Sequence, residues 1–215
     1  GMMAAEVQGL KLLRDTNTFG IPATLLQTNL NGVEFLLLEW ITPGIERTDF
    51  WEVFGKTLAV LHRNTAQYFG LGHNNYIGSL PQNNTPNRNG IEFFIECRLE
   101  PQLQLAFDSK QLPKEAFDKF QKLYTQLPDL LPDEPSSLLH GDLWEGNFLT
   151  GPDGKAYKAR QVVFQGRAPQ VIGGEAVVLV GGHMEVGIDH AQRVDDLLLQ
   201  VLLEGLAGDY FDEVA

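Results

Sequence analysis

His140, Asp142 and Asn147 lie in the stretch LLHGDLWEGN, and their types and spacing suit phosphoryl transfer. With Leu143 they match the pattern H-x-D-L-x-x-x-N. Moving the terminal phosphoryl group of a nucleotide needs an acceptor hydroxyl held in line and a carboxylate to orient it and take its proton. Asp142 fits that role. By Asn147 the loop has room to turn back, so that side chain's amide oxygen can bind a Mg²⁺ that neutralises phosphate charge. His140 would hold the loop's shape by hydrogen bonds from its ring. The plainer alternative is a surface turn whose Gly, Asp and Asn only satisfy backbone groups. The apolar lead-in, the helix upstream and Leu143 favour the chemical reading.

Such a loop needs elements around it. Residues 4–14 put Ala4, Val7, Leu10 and Leu13 on one face at helical spacing. Residues 19–41 predict strand, turn and strand, with NLNG as the hairpin signal. Helical spacing returns over 49–64, with Phe50, Val53, Phe54, Leu58 and Leu61. Residues 70–90 are rich in Asn and Gly yet carry Tyr76, Ile77 and Leu80, which predicts a long structured loop rather than a linker. Residues 91–109 are helical in pattern, with a kink or restart at Pro101. Residues 114–127 predict an amphipathic helix with Phe117, Phe120, Tyr124 and Leu127 on one side. After Lys158 a Gly- and Val-rich stretch predicts short strands and turns, followed by a helix over 191–206.

The composition is that of a soluble globular protein: 215 residues, 43% hydrophobic and 20% charged. A formal charge of −12 repels phosphate backbones and anionic lipid, which argues against nucleic-acid and membrane partners. An anionic small molecule would need local basic groups or a metal ion. The single cysteine, Cys97, can form no internal disulfide, and this favours a reducing, cytoplasmic setting. Residues 1–14 lack the basic start and apolar block of a signal peptide, and no apolar run reaches membrane-spanning length.

LLHGDLWEGN resembles the fructosamine kinase (ketosamine-3-kinase) family, relatives of the aminoglycoside phosphotransferases. LAVLHR (58–63), NNYIGSLPQNN (74–84), FFIECRLEPQL (93–103) and EVQGLKLL (6–13) resemble further blocks of that family in the same order, so the resemblance covers about residues 3–157. It implies an α+β, protein-kinase-like fold with a mostly helical C-lobe and a remnant N-lobe sheet. Residues 1–41 would be the N-lobe remnant, 42–157 the helical C-lobe with the catalytic loop, and 158–215 an atypical C-terminal segment. It implies ATP and Mg²⁺, with phosphorylation of a sugar hydroxyl on a small-molecule or protein-bound glycated amine. Carried over by position, Asp142 is the base and Asn147 a metal ligand. Glu6 is the helix glutamate that partners a nucleotide-binding lysine, and Glu39, Trp40 and Ile41 form the hinge against adenine. Trp144 would flank the sugar, with Arg98, Asn75 and Gln102 near the acceptor; for Trp144 and Arg98, core packing and an internal salt bridge are the structural alternatives.

The sequence departs from the family pattern in two places. Only five residues precede Glu6, so the glycine-rich strand pair and its lysine are not in this chain, and no G-x-G-x-x-G occurs. Glu6 is then expected to be a solvated helix residue, turnover to be very weak or absent, and a bare sheet edge to favour self-association. Downstream, the family's I-D-P-A strand end, which carries a second metal-binding aspartate, is replaced by KARQVVF. Anchoring on GGHMEV (181–186) puts the metal position near Gly174-Glu175; anchoring on GIDHA (187–191) makes Asp189 the ligand. His183, Glu185, Asp189, His190, Asp195 and Asp196 are also potential ligands, but their spacing matches no metal motif of defined geometry and reads as exposed helix and turn. The rival to a kinase is a non-catalytic binding module that keeps a sugar-binding surface or a protein interface.

Overall fold

A computed structural model describes residues 1–30, 32–158, 171–172 and 176–181. The chain opens with helix α1 (Met2–Asp15), which buries Met3, Leu10 and Leu13 on one face. Its end is closed by Thr16, whose hydroxyl donates to the Leu13 carbonyl at 2.7 Å and so satisfies one of the acceptors a helix end leaves open. Strands β1 (Thr24–Leu30) and β2 (Val33–Glu39) form the expected antiparallel hairpin. Gly32 takes φ +86 at the turn, the left-handed region in which glycine carries no steric penalty. Met3 and Leu10 pack against Leu36 and Leu38, so α1 lies on β2.

Helix α2 (Phe50–Leu61) follows, then the two-residue strand β3 (Thr65–Ala66). Within the Asn-rich stretch, β4 (Asn75–Ile77) and β5 (Leu80–Gln82) form a short hairpin turning at Gly78, φ +57. The helical run after it is continuous but uneven. Helix α3 (Gly90–Phe94) is capped by Asn89, whose side chain accepts from the Ile91 and Glu92 amides. A π-helical turn covers Ile95–Leu99, and α4 (Glu100–Asp108) continues with Pro101 in its first turn, the wider turn preceding the residue that has no N–H to donate. Helices α5 (Lys114–Tyr124) and α6 (Leu127–Leu130) complete this layer around Leu103, Tyr124 and Leu127.

The chain returns through β6 (Ser136–Ser137), which pairs with β3, and enters β7 (Phe148–Thr150) and β8 (Ala156–Lys158). Beyond Lys158, β9 (Val171–Ile172) and β10 (Ala176–Gly181) join the first hairpin in a sheet of order β1-β2-β10-β9. Strand β10 pairs with β2 in register from Ala176↔Glu39 to Gly181↔Glu34. β2 is therefore paired on both sides, by β1 and by β10, and β1 and β9 are the outer strands of the sheet. The proposed helix over 191–206 lies outside the described residues.

One cluster joins the parts: Leu13 and Phe19 from the α1 end, Phe50 and Leu61 from α2, and Ala156 from β8. Gly20 lies beside β8, donating to Ala156 O at 2.9 Å and accepting from Lys158 N at 2.7 Å. A Cβ at Gly20 would stand 2.3 Å from the Tyr157 ring. Gly20→Ala is expected to lower stability by about 1–3 kcal/mol through overpacking, read as a lower urea midpoint at unchanged m-value.

Candidate active site

The loop that carries Asp142 is fixed from both ends. At its start, the Leu138 amide donates to Asn64 O at 2.9 Å, next to the β3–β6 pairing. Gly141 adopts φ +88 and turns the chain sharply between His140 and Asp142. At its end, a 3₁₀ turn over Glu145–Asn147 is followed by Phe148, which enters a ring cluster with Phe50, Trp51 and Phe54. The Trp144 indole covers Gly146, so that a Cβ there would meet the ring at 2.4 Å unless the half-exposed indole moved.

Asn147 is the internal clamp. It is buried, and its Nδ2 donates to the Asp142 carbonyl at 2.8 Å and to the Asp142 carboxylate at 2.5 Å. The five-residue spacing thus returns the amide to the carboxylate. With Nδ2 engaged, Asn147 Oδ1 is the atom left to face a cation. Asp142 itself is exposed.

These residues line a cavity of about 360 Å³ between α1, the β4–β5 hairpin and the Asp142 loop. That volume lies in the range of small-molecule sites. Of the residues singled out from the sequence, Glu6, Asn75, His140, Asp142 and Asn147 line it. Glu39, Trp40, Ile41, Trp144, Arg98 and Gln102 do not line it. The Glu39 carboxylate instead accepts from the Ala23 amide at 2.9 Å, tying the end of β2 to the residue before β1. Trp144 keeps half its surface exposed beside the loop.

Three expectations need correction. Glu6 is not a solvated helix residue: Lys158 Nζ lies 3.1 Å from its Oε1, with side-chain exposures of 13% for Lys158 and 21% for Glu6. His140 does not brace the loop through its ring, because both ring nitrogens are buried without a hydrogen-bond partner among the described residues. Burial first, and the Lys158 charge second, push its pKa down to about 4 against the weaker opposite pull of Asp142 and Glu6, so the imidazole is neutral at pH 7. Arg98 does not line the cavity; instead of an internal salt bridge it donates to Asn83 O at 2.6 Å and Asn84 Oδ1 at 2.5 Å, and lies over the Phe93 ring. Buried Asn84 in turn donates to His73 O and to Asn75 Oδ1. Arg98 therefore acts on the cavity indirectly, by holding the loop that forms one wall.

Lys158 is the residue that sequence reasoning passed over. In a strand, Ala156 and Lys158 point to the same side, and Ala156 is in the core. A lysine two residues from a core alanine was the available signal. Among the described residues no three His, Cys, Asp or Glu side chains are grouped to hold a metal. Glu175, Asp189 and the rest of the acidic and histidine cluster lie outside the described residues. No helix among them is long and apolar enough to cross a membrane.

Comparison with known proteins gives a consistent result. The family model described as fructosamine kinase matches residues 1–166. A probable ketoamine kinase of Enterococcus faecium is 33% identical over 176 residues, 80% of this chain and 61% of that protein. The chloroplastic protein-ribulosamine 3-kinase of Oryza sativa subsp. indica is 36% identical over 160 residues, 72% of this chain and 46% of that protein. A crystal structure from Thermobifida fusca that carries the name fructosamine-3-kinase superposes with a TM-score of 0.63 at 32% identity, over 74% of this chain and 54% of the other. The chain spans about half the length of the curated relatives it matches.

Two measurements check the loop. Asn147→Leu removes both amide donations to Asp142, and should cost about 1–3 kcal/mol in urea unfolding. His140 is neutral when folded but takes a proton near pH 6.5 when unfolded, so the unfolded chain binds more protons between about pH 6.5 and about pH 4. Its contribution to stability is whole above that window and lost as pH falls through it. His140→Gln should show a shallower loss of stability than the parent over the same range.

Proposed function

The chain belongs to the fructosamine kinase family, and on that premise we propose that it transfers the terminal phosphoryl group of ATP to a sugar hydroxyl of a glycated amine. The observation that carries this reading is the contact of Asn147 Nδ2 with the Asp142 carboxylate at the wall of the cavity. It leaves Asp142 facing the space an acceptor would enter, held in one orientation by a buried amide. Asp142 then takes the proton of the attacking hydroxyl, a role that needs an accessible carboxylate.

The donor set suits Mg²⁺, which prefers oxygen ligands and fills its remaining positions with water and phosphate. Asn147 Oδ1 and the Asp142 carboxylate are two oxygens at the cavity wall that would hold it, and the ion would supply charge neutralisation for the phosphates. The family resemblance supports a protein-kinase-like arrangement of this site. His140, uncharged and two residues before Asp142, forms no ion pair that would draw the carboxylate away from a hydroxyl. Buried, unpaired Cys97 agrees with a reducing, cytoplasmic setting. The named activities of the relatives, ketoamine and ribulosamine phosphorylation, define the acceptor class to try first.

The test is phosphate transfer from [γ-³²P]ATP to a fructosylated lysine derivative. Product should form only with Mg²⁺, and Asp142→Ala should lower the rate by about 10²–10⁴-fold. No labelled product from the parent chain, with Mg·ATP still bound, would turn the conclusion to a non-catalytic binding module.

A further inference from the structure

We propose that Asn84 is a positioning residue for the acceptor: held by Arg98 on one side, it commits the Asn75 amide on the other to offer hydrogen-bond donors, not its oxygen, to the cavity. The inference rests on the acceptor reading above. A side-chain amide has an oxygen that accepts and an NH₂ that donates, and a half-turn exchanges them. Its neighbours decide which one is presented. Asn84 is 2% exposed, and its neighbours allow one orientation. Arg98 Nη2 donates to Asn84 Oδ1 at 2.5 Å, and a guanidinium can only donate. The His73 carbonyl can only accept, and it takes one Nδ2 hydrogen at 3.0 Å. A flipped Asn84 would set its NH₂ against the guanidinium and its oxygen against the carbonyl. The second Nδ2 hydrogen goes to Asn75 Oδ1 at 2.8 Å.

The polarity fixed at Asn84 passes to Asn75. With Oδ1 taken, Asn75 Nδ2 is left, and it has no partner among the described residues. Asn75 lines the cavity, and so does Gln82, which stands opposite it in the β4–β5 pairing. Residues opposite one another in an antiparallel pair share a face, so the two amides are neighbours. The Gln82 side chain likewise makes no hydrogen bond among the described residues. Asp142 lines the same cavity, and an ionised carboxylate can only accept. The cavity thus carries an acceptor at the loop and donors at the hairpin. A hydroxyl is donor and acceptor at once, so a run of adjacent hydroxyls suits this division. One hydroxyl turns its proton to Asp142 while the lone pairs of another meet Asn75. A network serving stability alone would be complete at Asn84, whose amide hydrogens are both used. It extends one step further, to a side chain with donors to spare.

A double-mutant cycle tests this, read by calorimetric titration of the full chain with a fructosylated lysine derivative in the presence of Mg²⁺ and a non-hydrolysable ATP analogue. Asn84→Asp keeps an oxygen for Arg98 but replaces the donor to Asn75, so Asn75 turns its NH₂ inward and its oxygen to the cavity. Asn75→Ala removes the amide. Each should weaken binding by about fivefold or more. If Asn84 acts through Asn75, adding Asn84→Asp to Asn75→Ala should change the affinity by no more than about twofold. Should urea unfolding show that Asn84→Asp does not fold, Arg98→Met with Asn75→Ala forms the same cycle at a partly exposed site. A loss that persists when residue 75 is already alanine makes Asn84 a support of the loop only, and the proposal fails. It fails equally if either single variant binds as the parent does, and in both cases the acceptor reading stands. If the parent does not bind the fructosylated lysine derivative, the acceptor reading fails and this proposal with it.

Discussion

Two backbone hydrogen bonds between Gly20 and β8, 2.9 and 2.7 Å long, hold the N-terminal helix against the segment that carries Asp142 and Asn147. They require a residue without a side chain, because the Tyr157 ring occupies the space a Cβ would take. With that contact made, Leu13, Phe19 and Ala156 close into one apolar cluster with Phe50 and Leu61, and the cavity acquires its α1 wall. Apolar burial supplies the free energy of this junction, but it is non-directional. The two hydrogen bonds set the register, and so decide that Lys158 rather than a neighbour faces Glu6.

The far wall is built on a different principle. The β4–β5 hairpin leaves its apolar side chains incompletely buried, with Tyr76 37%, Ile77 48% and Leu80 39% exposed. Its position comes from polar satisfaction instead. Asn84, 2% exposed, is bonded to His73, Asn74, Asn75 and Arg98. A buried amide group is costly to leave unpaired, so these bonds specify one arrangement of the loop. One side of the cavity is thus held by packing and the other by a hydrogen-bond network centred on a single asparagine.

The electrostatics follow from the same two walls. Glu6 and Asp142 bring negative charge to the cavity, and Lys158 answers it. His140 is kept neutral by burial and by the lysine's charge. A neutral imidazole forms no ion pair with Asp142 within the loop.

Much of this was legible in the order of residues. The α1 face, the NLNG hairpin, the restart at Pro101 and the spacing from His140 to Asn147 are local patterns, and local patterns depend on backbone geometry that a short segment already has. The ordered family blocks identified the loop for the same reason, being contiguous motifs. What tertiary structure alone decided is which charges meet. Glu6 is paired across 152 positions, Arg98 turns to Asn84, and the buried His140 ring nitrogens have no hydrogen-bond partner among the described residues. Each of these outcomes depends on distance and desolvation, which arise only when segments remote in sequence are packed together, and no spacing rule along the chain encodes them.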